Sequence, residues 1–544
     1  MTVDKQETFN IKKIAIIGGG ISGISALYEF LHTSSDGKSY VGKEEPENQA
    51  FESITLFERN DELGGNWLFN SRSDPKFPEQ EQLDNGDYSK PEALDTIYKG
   101  IPTDENLSKA SKEDPFITNV DNETIRWNNS AAYPALFSNI LGSLVRVSSG
   151  LNHYKVQKGN PLYPFSTAGQ IQNDLLKFVK EQNLKRFIEF NTTVEKAQKI
   201  GGSWVLTLQR INKETGKAEW YTDKFDAIVT ANGHYSIPFI PYFENLNVYN
   251  KRHPDDLWHT KAVKEFSKFK DQNVLIIGSN ASSIDVIKFL VGDNAKSITI
   301  SRRSVRNQDS NDPRNYKFTD EIFNHKDIIL KPKISEISIN GDDPKDDEIK
   351  FLDGTTGKYD KIIFATGYHF HYPFLVDKSL TQLGQIADAN SKFSLVKTLY
   401  LYTFAINDPT FATIGVQQSP FLWATMESQA SAIAGIWSNV KKLPSVETQQ
   451  EWLRARNEDK KFHIFNLDTA KPDLADKAIE LAPHGRVHPF DVLNVEKEEV
   501  EKGWDQLIKL YESFRTGELT FQKIKELGTL EKSQSLDKPI DVEA

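Results

Sequence analysis

The 544-residue sequence predicts an α/β fold built from two β-α-β units, the second inserted in the first. Two observations predict it. Residues 12–17 are a short β-rich run that ends in a glycine-rich turn at residues 18–23, and residues 25–31 then follow helical spacing. The same order of strand, small-residue turn and helix returns at residues 274–277, 278–283 and 284–290.

The remaining elements follow in chain order. Residues 53–57 read as the second strand of the first unit and end at an acid, Glu58. The polar connection before it, about 32–52, is too long for a plain crossover and reads as an insertion. A second polar stretch, about 70–126, is rich in Asp, Glu, Lys, Pro and Ser; it reads as a surface excursion without regular structure. Residues 170–184 have the pattern of an amphipathic helix, and 204–208 and 225–230 that of strands. In the second unit, 297–301 and 359–365 are strands. Residues 394–416 are apolar, but Asn407, Asp408 and Pro409 interrupt them, so two strands around a turn are expected rather than a membrane span. Charged helical segments follow Pro444, and residues 496–532 have the charge pattern of a solvated helix face. The expected boundaries are 1–236 for the first part of the first domain, 237–366 for the inserted domain, and 367–544 for the second part with a C-terminal helical extension.

Composition narrows the chemistry. The net charge of −11 argues against general affinity for nucleic acid or anionic membrane. Residues 1–13 lack an apolar core, so no secretory signal is expected, and a cytoplasmic protein without a membrane span is the reading. There is no cysteine, which excludes disulfides, thiolate metal sites and a cysteine nucleophile. Redox chemistry would need a bound cofactor, and a disulfide reductase is excluded outright.

The first turn, Gly18-x-Gly20-x-x-Gly23, meets the dinucleotide fingerprint. Gly18 allows the tight turn, Gly20 lets backbone approach a pyrophosphate, and Gly23 lets helix pack on strand. The helix N-terminus supplies free N–H groups to phosphates. Glu58 would take ribose hydroxyls; it lies forty residues after Gly18 where about 20 is usual, and the insertion accounts for the excess. Gly64-Gly65 soon after the acid would let the chain pass over a flat ligand on which Trp67 could pack. The second turn, Gly278-Ser279-Asn280-Ala281-Ser282-Ser283, keeps only the first glycine, although Ser and Asn can donate to phosphate. Arg302-Arg303 follow the next strand where arginine accommodates a 2′-phosphate, which favours NADPH over NADH.

Taken together, residues 18–23, Glu58-Arg59 and Gly64-Gly65-Asn66-Trp67 resemble the FAD site of the flavin-containing monooxygenases. The resemblance implies that Gly18, Gly19, Gly20, Ile21, Ser22, Gly23, Glu58, Arg59, Gly65, Asn66 and Trp67 serve FAD. It is partial at the second motif, where Gly278, Ser279, Asn280, Ser282, Ser283, Asp285 and Arg302 would serve NADPH. Tyr133-x-x-Leu136-x-Ser138-Asn139 is similar to the family segment whose final Asn sits at the flavin, with Ser138 beside it. His259 matches the histidine of the family's identifying sequence, while His253, Asp255 and Val263 stand where it has Phe, Gly and an aromatic. Residues 230–234 and Ala365-Thr366-Gly367-Tyr368 resemble the two turns at the domain crossings; Pro373-Phe374-Leu375 and Glu427-x-Gln429-Ala430 also fit.

The fold so implied is two Rossmann-like dinucleotide-binding domains, the NADPH domain inserted in the FAD domain. The activity implied is oxygen insertion from O₂ into a soft nitrogen or sulfur of a small molecule, through a C4a-hydroperoxyflavin, with no metal. The cofactor carries that chemistry, and the neutral amide of Asn139 is the candidate catalytic group. The alternatives are a Baeyer–Villiger or N-hydroxylating enzyme, an uncoupled NADPH oxidase, and a non-enzymatic FAD-binding protein. The substrate pocket is expected near Tyr163, Pro164, Phe165 and Phe421. The sequence leaves oligomeric state open, a homo-oligomer included.

Overall fold

The run at residues 13–17 lacks the alternation of a half-exposed strand, and the structure, a computed structural model, buries it at the centre of a sheet as β1 (Lys13–Ile17). The structure describes residues 8–68, 74–94, 100–121, 127–148, 159–292, 295–302, 317–381, 383–385, 394–458, 464–494 and 496–533. From β1 the chain turns into α1 (Ile21–Leu31), every residue of which is buried, and returns in parallel as β2 (Ser53–Phe57). Next come α2 (Ala168–Glu181), β3 (Ile188–Glu189) and β4 (Ala227–Thr230). A crossing strand, β5 (Ile237–Pro238), leads to the second unit. That unit holds β6 (Leu257–His259), β7 (Asn273–Ile277), α3 (Ala281–Gly292), β8 (Ser297–Ser301), α4 (Lys317–Phe323), β9 (Ile328–Lys331) and β10 (Lys361–Phe364). The return strand is β11 (Tyr368–His369), and β12 (Leu399–Tyr400), β13 (Phe404–Ala405) and β14 (Phe411–Thr413) complete the first sheet under α5 (Leu422–Trp437).

The first sheet has the order β12-β13-β14-β4-β1-β2-β3, the second β6-β10-β7-β8-β9. In each, the strand that feeds a glycine turn lies between two parallel neighbours: β1 between β4 and β2, β7 between β10 and β8. Both turns therefore leave the carboxyl end of a central parallel strand, where open α/β sheets bind ligands. The two crossings between the units run side by side, because β5 pairs antiparallel with β11.

Two expectations are corrected. The stretch at 70–126 is not a bare surface excursion. Phe77, Leu83, Tyr88 and Leu94 join the core that covers one face of the second sheet, with Leu275, Ile277 and Phe364. Its Phe116–Asn119 forms a strand that pairs with Lys217–Phe225 in a four-stranded antiparallel sheet. These apolar residues are spaced too widely among charges to show a period.

The C-terminal segment is also more than a solvated face. In α6 (Lys497–Arg515), Val500, Gly503, Leu507, Leu510, Tyr511 and Phe514 form one buried stripe; its later part, from Leu507, packs on α3 and α4, while Val500 joins the first unit's core and Gly503 faces Leu141. The last helix, α7 (Phe521–Ser533), sends Phe521 and Ile524 into the second unit's core and packs on α2 of the first unit. There the backbones nearly touch, since a Cβ on Gly169 would lie 2.0 Å from Gly528 O. The extension thus spans both units. Among the described residues, no helix is long and apolar enough to cross a membrane.

Candidate functional site

The first turn is held by backbone collisions that only glycine avoids. Gly18 has φ +112°, and a Cβ there would meet Ala231 O, at the end of β4, at 2.6 Å. A Cβ on Gly23 would lie 1.9 Å from Gly18 O. Gly20 differs, because its backbone is extended and a Cβ would make only ordinary contact, 3.4 Å from Gly65 Cα. The fold does not require a glycine there, although the residue faces the backbone of Gly65. The first helical bond of α1 runs from Ile24 N–H to Gly20 O, and no side chain caps the helix, so the N–H groups of Ile21, Ser22 and Gly23 have no helical acceptor.

Glu58 follows β2 and meets the same turn. It is buried, its Oε2 accepts Gly19 N–H at 2.7 Å, and its Oε1 accepts Asn60 N–H and Nδ2–H, each at 2.8 Å. A carboxylate has about four acceptor sites, so one remains for a ligand hydroxyl. Arg59 lies outside, exposed, with Nη1 donating to Asn128 Oδ1. Gly65, Asn66 and Trp67 form a single 3₁₀ turn, and Asn66 Oδ1 is buried with no partner among the described residues. The uncapped helix start and the orphaned amide oxygen fit a phosphate-bearing group with its own donors, such as FAD. Ser22 faces the other way and donates to Met426 Sδ of α5 at 3.3 Å.

The second turn repeats the first collision and not the second. Gly278 has φ +120°, and a Cβ there would lie 2.4 Å from Ala365 O at the end of β10. Asn280 stands where the first turn has Gly20, and its Oδ1 accepts Ala281 N–H at 2.9 Å, which takes up one of the donors at the start of α3. Ser283, fully buried, stands where the first turn has Gly23; its Oγ donates to Asn280 O at 2.5 Å. Ser279 and Ser282 are half-buried in the turn, and Asp285 pairs with Lys288 at 2.7 Å on the same helix. Arg302 follows β8, its N–H bonded to Lys331 O at 3.0 Å; Arg303 lies outside the described residues.

Beside the crossing ribbon, His259 ends β6 and is fully buried. Its Nδ1 accepts Lys261 N–H, so Nε2 carries the hydrogen and donates to Gly367 O at 3.1 Å. Burial, with Lys261 beside it, presses its pKa down to about 3, so it is a neutral tie between crossing strands. Thr366 and Gly367, expected at a cofactor, belong to the same ties: the Thr366 hydroxyl donates to Phe239 O, and Gly367 O accepts Phe239 N–H at 2.9 Å. Ser138 is likewise committed, its Oγ donating to Ile140 O and accepting Ser166 N–H. Asn139 next to it is exposed and lines a cleft against Ala281 and Asp285 of α3. The structure therefore brings the candidate amide of the first unit to the helix of the second motif. Phe165 and Phe421 do not line this cleft; they are core residues, packed on Phe137 and on Phe490.

Residues that sequence reasoning missed hold the units together. Lys261 and Asp74 form an ion pair of 2.6 Å with both side chains out of solvent, and Lys261 Nζ also donates to Trp127 O and Ser236 O. Burial, opposed by Asp74, lowers the Lys261 pKa to about 8. Lys264 Nζ donates to Ser130 O and Ala132 O, and Ser130 Oγ to Asn66 O, which links the 3₁₀ turn to the second unit. The partners are far apart in sequence, and no local pattern marks them. Glu427 of α5 accepts Ser148 N–H and Oγ beside the buried pair Arg486–Glu29, and burial lifts its pKa to about 7.

Comparison with known proteins agrees with this geometry. The profile of the pyridine nucleotide-disulphide oxidoreductases matches residues 214–402, the second unit with both crossings. Flavin-containing monooxygenase iboF of Amanita muscaria is 25% identical over 470 residues, 80% of each chain. A trimethylamine monooxygenase of Roseovarius sp. is 24% identical over 443 residues, 81% of this chain and 78% of its own. Among solved structures, Tmm of Pelagibacter sp. superposes with a TM-score of 0.61 at 21% identity, over 91% of this chain and 90% of its own. The S-allyl-L-cysteine S-oxygenase of Allium sativum gives 0.62 at 19% identity, over 96% and 99%. These two structures share the fold, two linked dinucleotide units. With no cysteine, the chain cannot perform the disulfide chemistry in the matched profile's description. By sequence, the chain is similar to flavin-containing monooxygenases over about four fifths of its length.

Proposed function

We propose that the protein is an FAD- and NADPH-dependent monooxygenase that inserts one atom of O₂ into a soft nitrogen or sulfur of a small molecule. The observation that carries this is the pair of glycine turns on two parallel sheets, with Asn139 of the first unit facing the helix of the second turn. Relatives named trimethylamine monooxygenase and senecionine N-oxygenase, and a structural neighbour named S-oxygenase, support nitrogen and sulfur as the target atoms. We infer domain limits of 1–236 and 367–544 for FAD and 237–366 for NADPH; the pairing of β5 with β11 supports them.

When bound, FAD supplies the redox chemistry: it takes a hydride from NADPH and activates O₂. The chain's residues do the rest. The N–H groups at the start of α1 would hold the pyrophosphate, and the free acceptor site of Glu58 would take a ribose hydroxyl. Ser138 and Thr366 support the backbone of the site. Ser279, Ser282 and the turn at Gly278 hold the second nucleotide, and Arg302 meets its 2′-phosphate. Asn139 offers both a donor and an acceptor where the reacting groups meet, without adding charge. No acid–base dyad is required of the protein. We place the protein in the cytoplasm as a soluble enzyme.

Anaerobic addition of NADPH to the purified yellow protein tests the reading. The flavin absorbance should bleach. A flavin that NADPH leaves oxidised would mean the second turn does not serve hydride transfer, and the function would be wrong.

A further inference from the structure

We propose that Lys264, a residue of the second unit, is a positioning residue for the first unit's cofactor: it grips the segment at Ser130 and Ala132, and through Ser130 it fixes the 3₁₀ turn that presents Asn66 to FAD. This rests on the monooxygenase reading above, which puts FAD at that turn.

The turn at Gly65–Trp67 is caught between two neighbours. On one side is the first glycine turn, where a Cβ on Gly65 would lie 3.0 Å from Gly20 Cα. On the other is Ser130, whose Oγ donates to Asn66 O at 2.8 Å. The backbone carbonyl of Asn66 is thus committed to the protein, while its buried side-chain Oδ1 has no partner among the described residues. A buried acceptor of this kind is costly unless a ligand donor meets it, so the placement of the residue matters.

Ser130 cannot supply that placement alone. Residues 127–132 belong to no helix or strand, so their carbonyls have no ladder to bond to. Two ammonium groups of the second unit take them instead. Lys264 Nζ donates to Ser130 O at 2.7 Å and to Ala132 O at 2.6 Å. Lys261 Nζ donates to Trp127 O at 3.0 Å and pairs with Asp74 at 2.6 Å. Ala132 N–H donates to Ser130 Oγ at 3.1 Å, which turns the hydroxyl hydrogen toward Asn66 O. The two lysines divide the work. Lys261 also donates to Ser236 O, just before the crossing strand β5, and ties the units together. Both bonds of Lys264 go to the segment that holds Asn66. An ammonium has three donors on one small centre, so it can close two carbonyls two residues apart, which a neutral stem of that length cannot do. The second unit thereby acts on a cofactor it does not itself hold.

Release of FAD from full-length holoenzyme, followed by flavin fluorescence after dilution, tests this together with NADP⁺ binding to the FAD-saturated protein. Lys264→Met keeps the stem and removes the donors; it should release FAD about ten-fold faster, while its Kd for NADP⁺ moves less than about two-fold. Lys264→Arg keeps a cation with several donors and should return the release rate to within about three-fold of wild type. Because the lysine acts through Ser130, the double variant Lys264→Met/Ser130→Ala should release FAD no more than about two-fold faster than the faster single variant. Four results would each overturn the proposal: a wild-type release rate in Lys264→Met, no recovery in Lys264→Arg, effects of the two changes that multiply, or an NADP⁺ affinity that falls as far as FAD retention. If Lys264→Met does not fold, Ser130→Ala carries the test: its release should be about five-fold faster than wild type, and an unchanged rate would overturn the proposal. A wild-type protein that binds no FAD is a separate outcome: the monooxygenase reading itself then falls, and the role of Lys264 falls with it.

Discussion

The two glycine turns have one geometry and two degrees of constraint. Both leave a central parallel strand, and both open with a positive-φ glycine pressed on the carbonyl of a neighbouring strand's end, Ala231 O or Ala365 O. After that they diverge. The first turn keeps its helix against the strand with Gly23 and leaves the N–H groups of α1 free. The second has side chains at both later positions, Asn280 and Ser283, and they spend hydrogen bonds on the turn itself. The comparison separates what the fold requires of such a turn from what the ligand requires. Only the first glycine is common, so it belongs to the fold. The uncapped N–H groups of the first turn are the part proposed to serve a tightly held nucleotide.

The largest effect should come from Gly23→Ala, whose Cβ collides with backbone and cannot be relieved by a side-chain movement. Such overpacking costs about 1–3 kcal/mol or more, and purified Gly23→Ala should be colourless. The matching change in the second turn, Ser283→Ala, loses one hydrogen bond, about 1 kcal/mol, and should stay yellow. Equal flavin loss in both variants would end the distinction. Next in size is Asn139→Ala, for which the rate of oxygenation should fall roughly 10²-fold, the usual loss for one preorganised donor. Full coupled turnover in that variant would remove Asn139 from the site. Asn280→Gly should act in the opposite sense: it frees Ala281 N–H, worth about 1 kcal/mol or about five-fold, so the KM for NADPH should drop. A rise would show that Asn280 itself holds the nucleotide.

The smallest effect concerns pH at the α2–α7 contact. Burial lifts the Asp174 pKa to about 7, against Gln170 and Lys177, and burial also raises that of Glu531 nearby. A raised carboxyl stabilises the fold fully below its unfolded pKa near 4 and loses that contribution as pH rises through about 7. This group's contribution to the melting temperature should therefore fall between about pH 4 and pH 7, and Asp174→Asn should reduce that fall by about 1 °C. An unaltered slope in Asp174→Asn would place the titration elsewhere.

How much the sequence discloses follows from how local each requirement is. Gly18, Gly20 and Gly23 answer to neighbours within a few residues and one strand, so their roles can be read in order. The central strands are continuous apolar runs, and β2 and β8 have the limits their patterns suggest. Pairings across the chain are different. Nothing near Asp74 announces Lys261, and a lysine among polar residues looks like surface until the fold encloses it. Phe77, Leu83 and Leu94 are too sparse to show a period, yet they cover the second sheet. In α6 the stripe from Val500 to Phe514 is present in the sequence, but the charges between its members give the impression of a solvated helix. The aromatic loops at Phe165 and Phe421 mislead the other way, since aromatic residues fill cores as readily as pockets.

The central claim is that reduced flavin in this chain delivers oxygen to a substrate rather than releasing it as peroxide. Sulfoxide or N-oxide formed per NADPH consumed, measured on flavin-loaded full-length protein in air, tests that claim most directly. The account predicts a ratio approaching one with a neutral thioether or amine. A ratio near zero, with hydrogen peroxide matching the NADPH consumed, would contradict it.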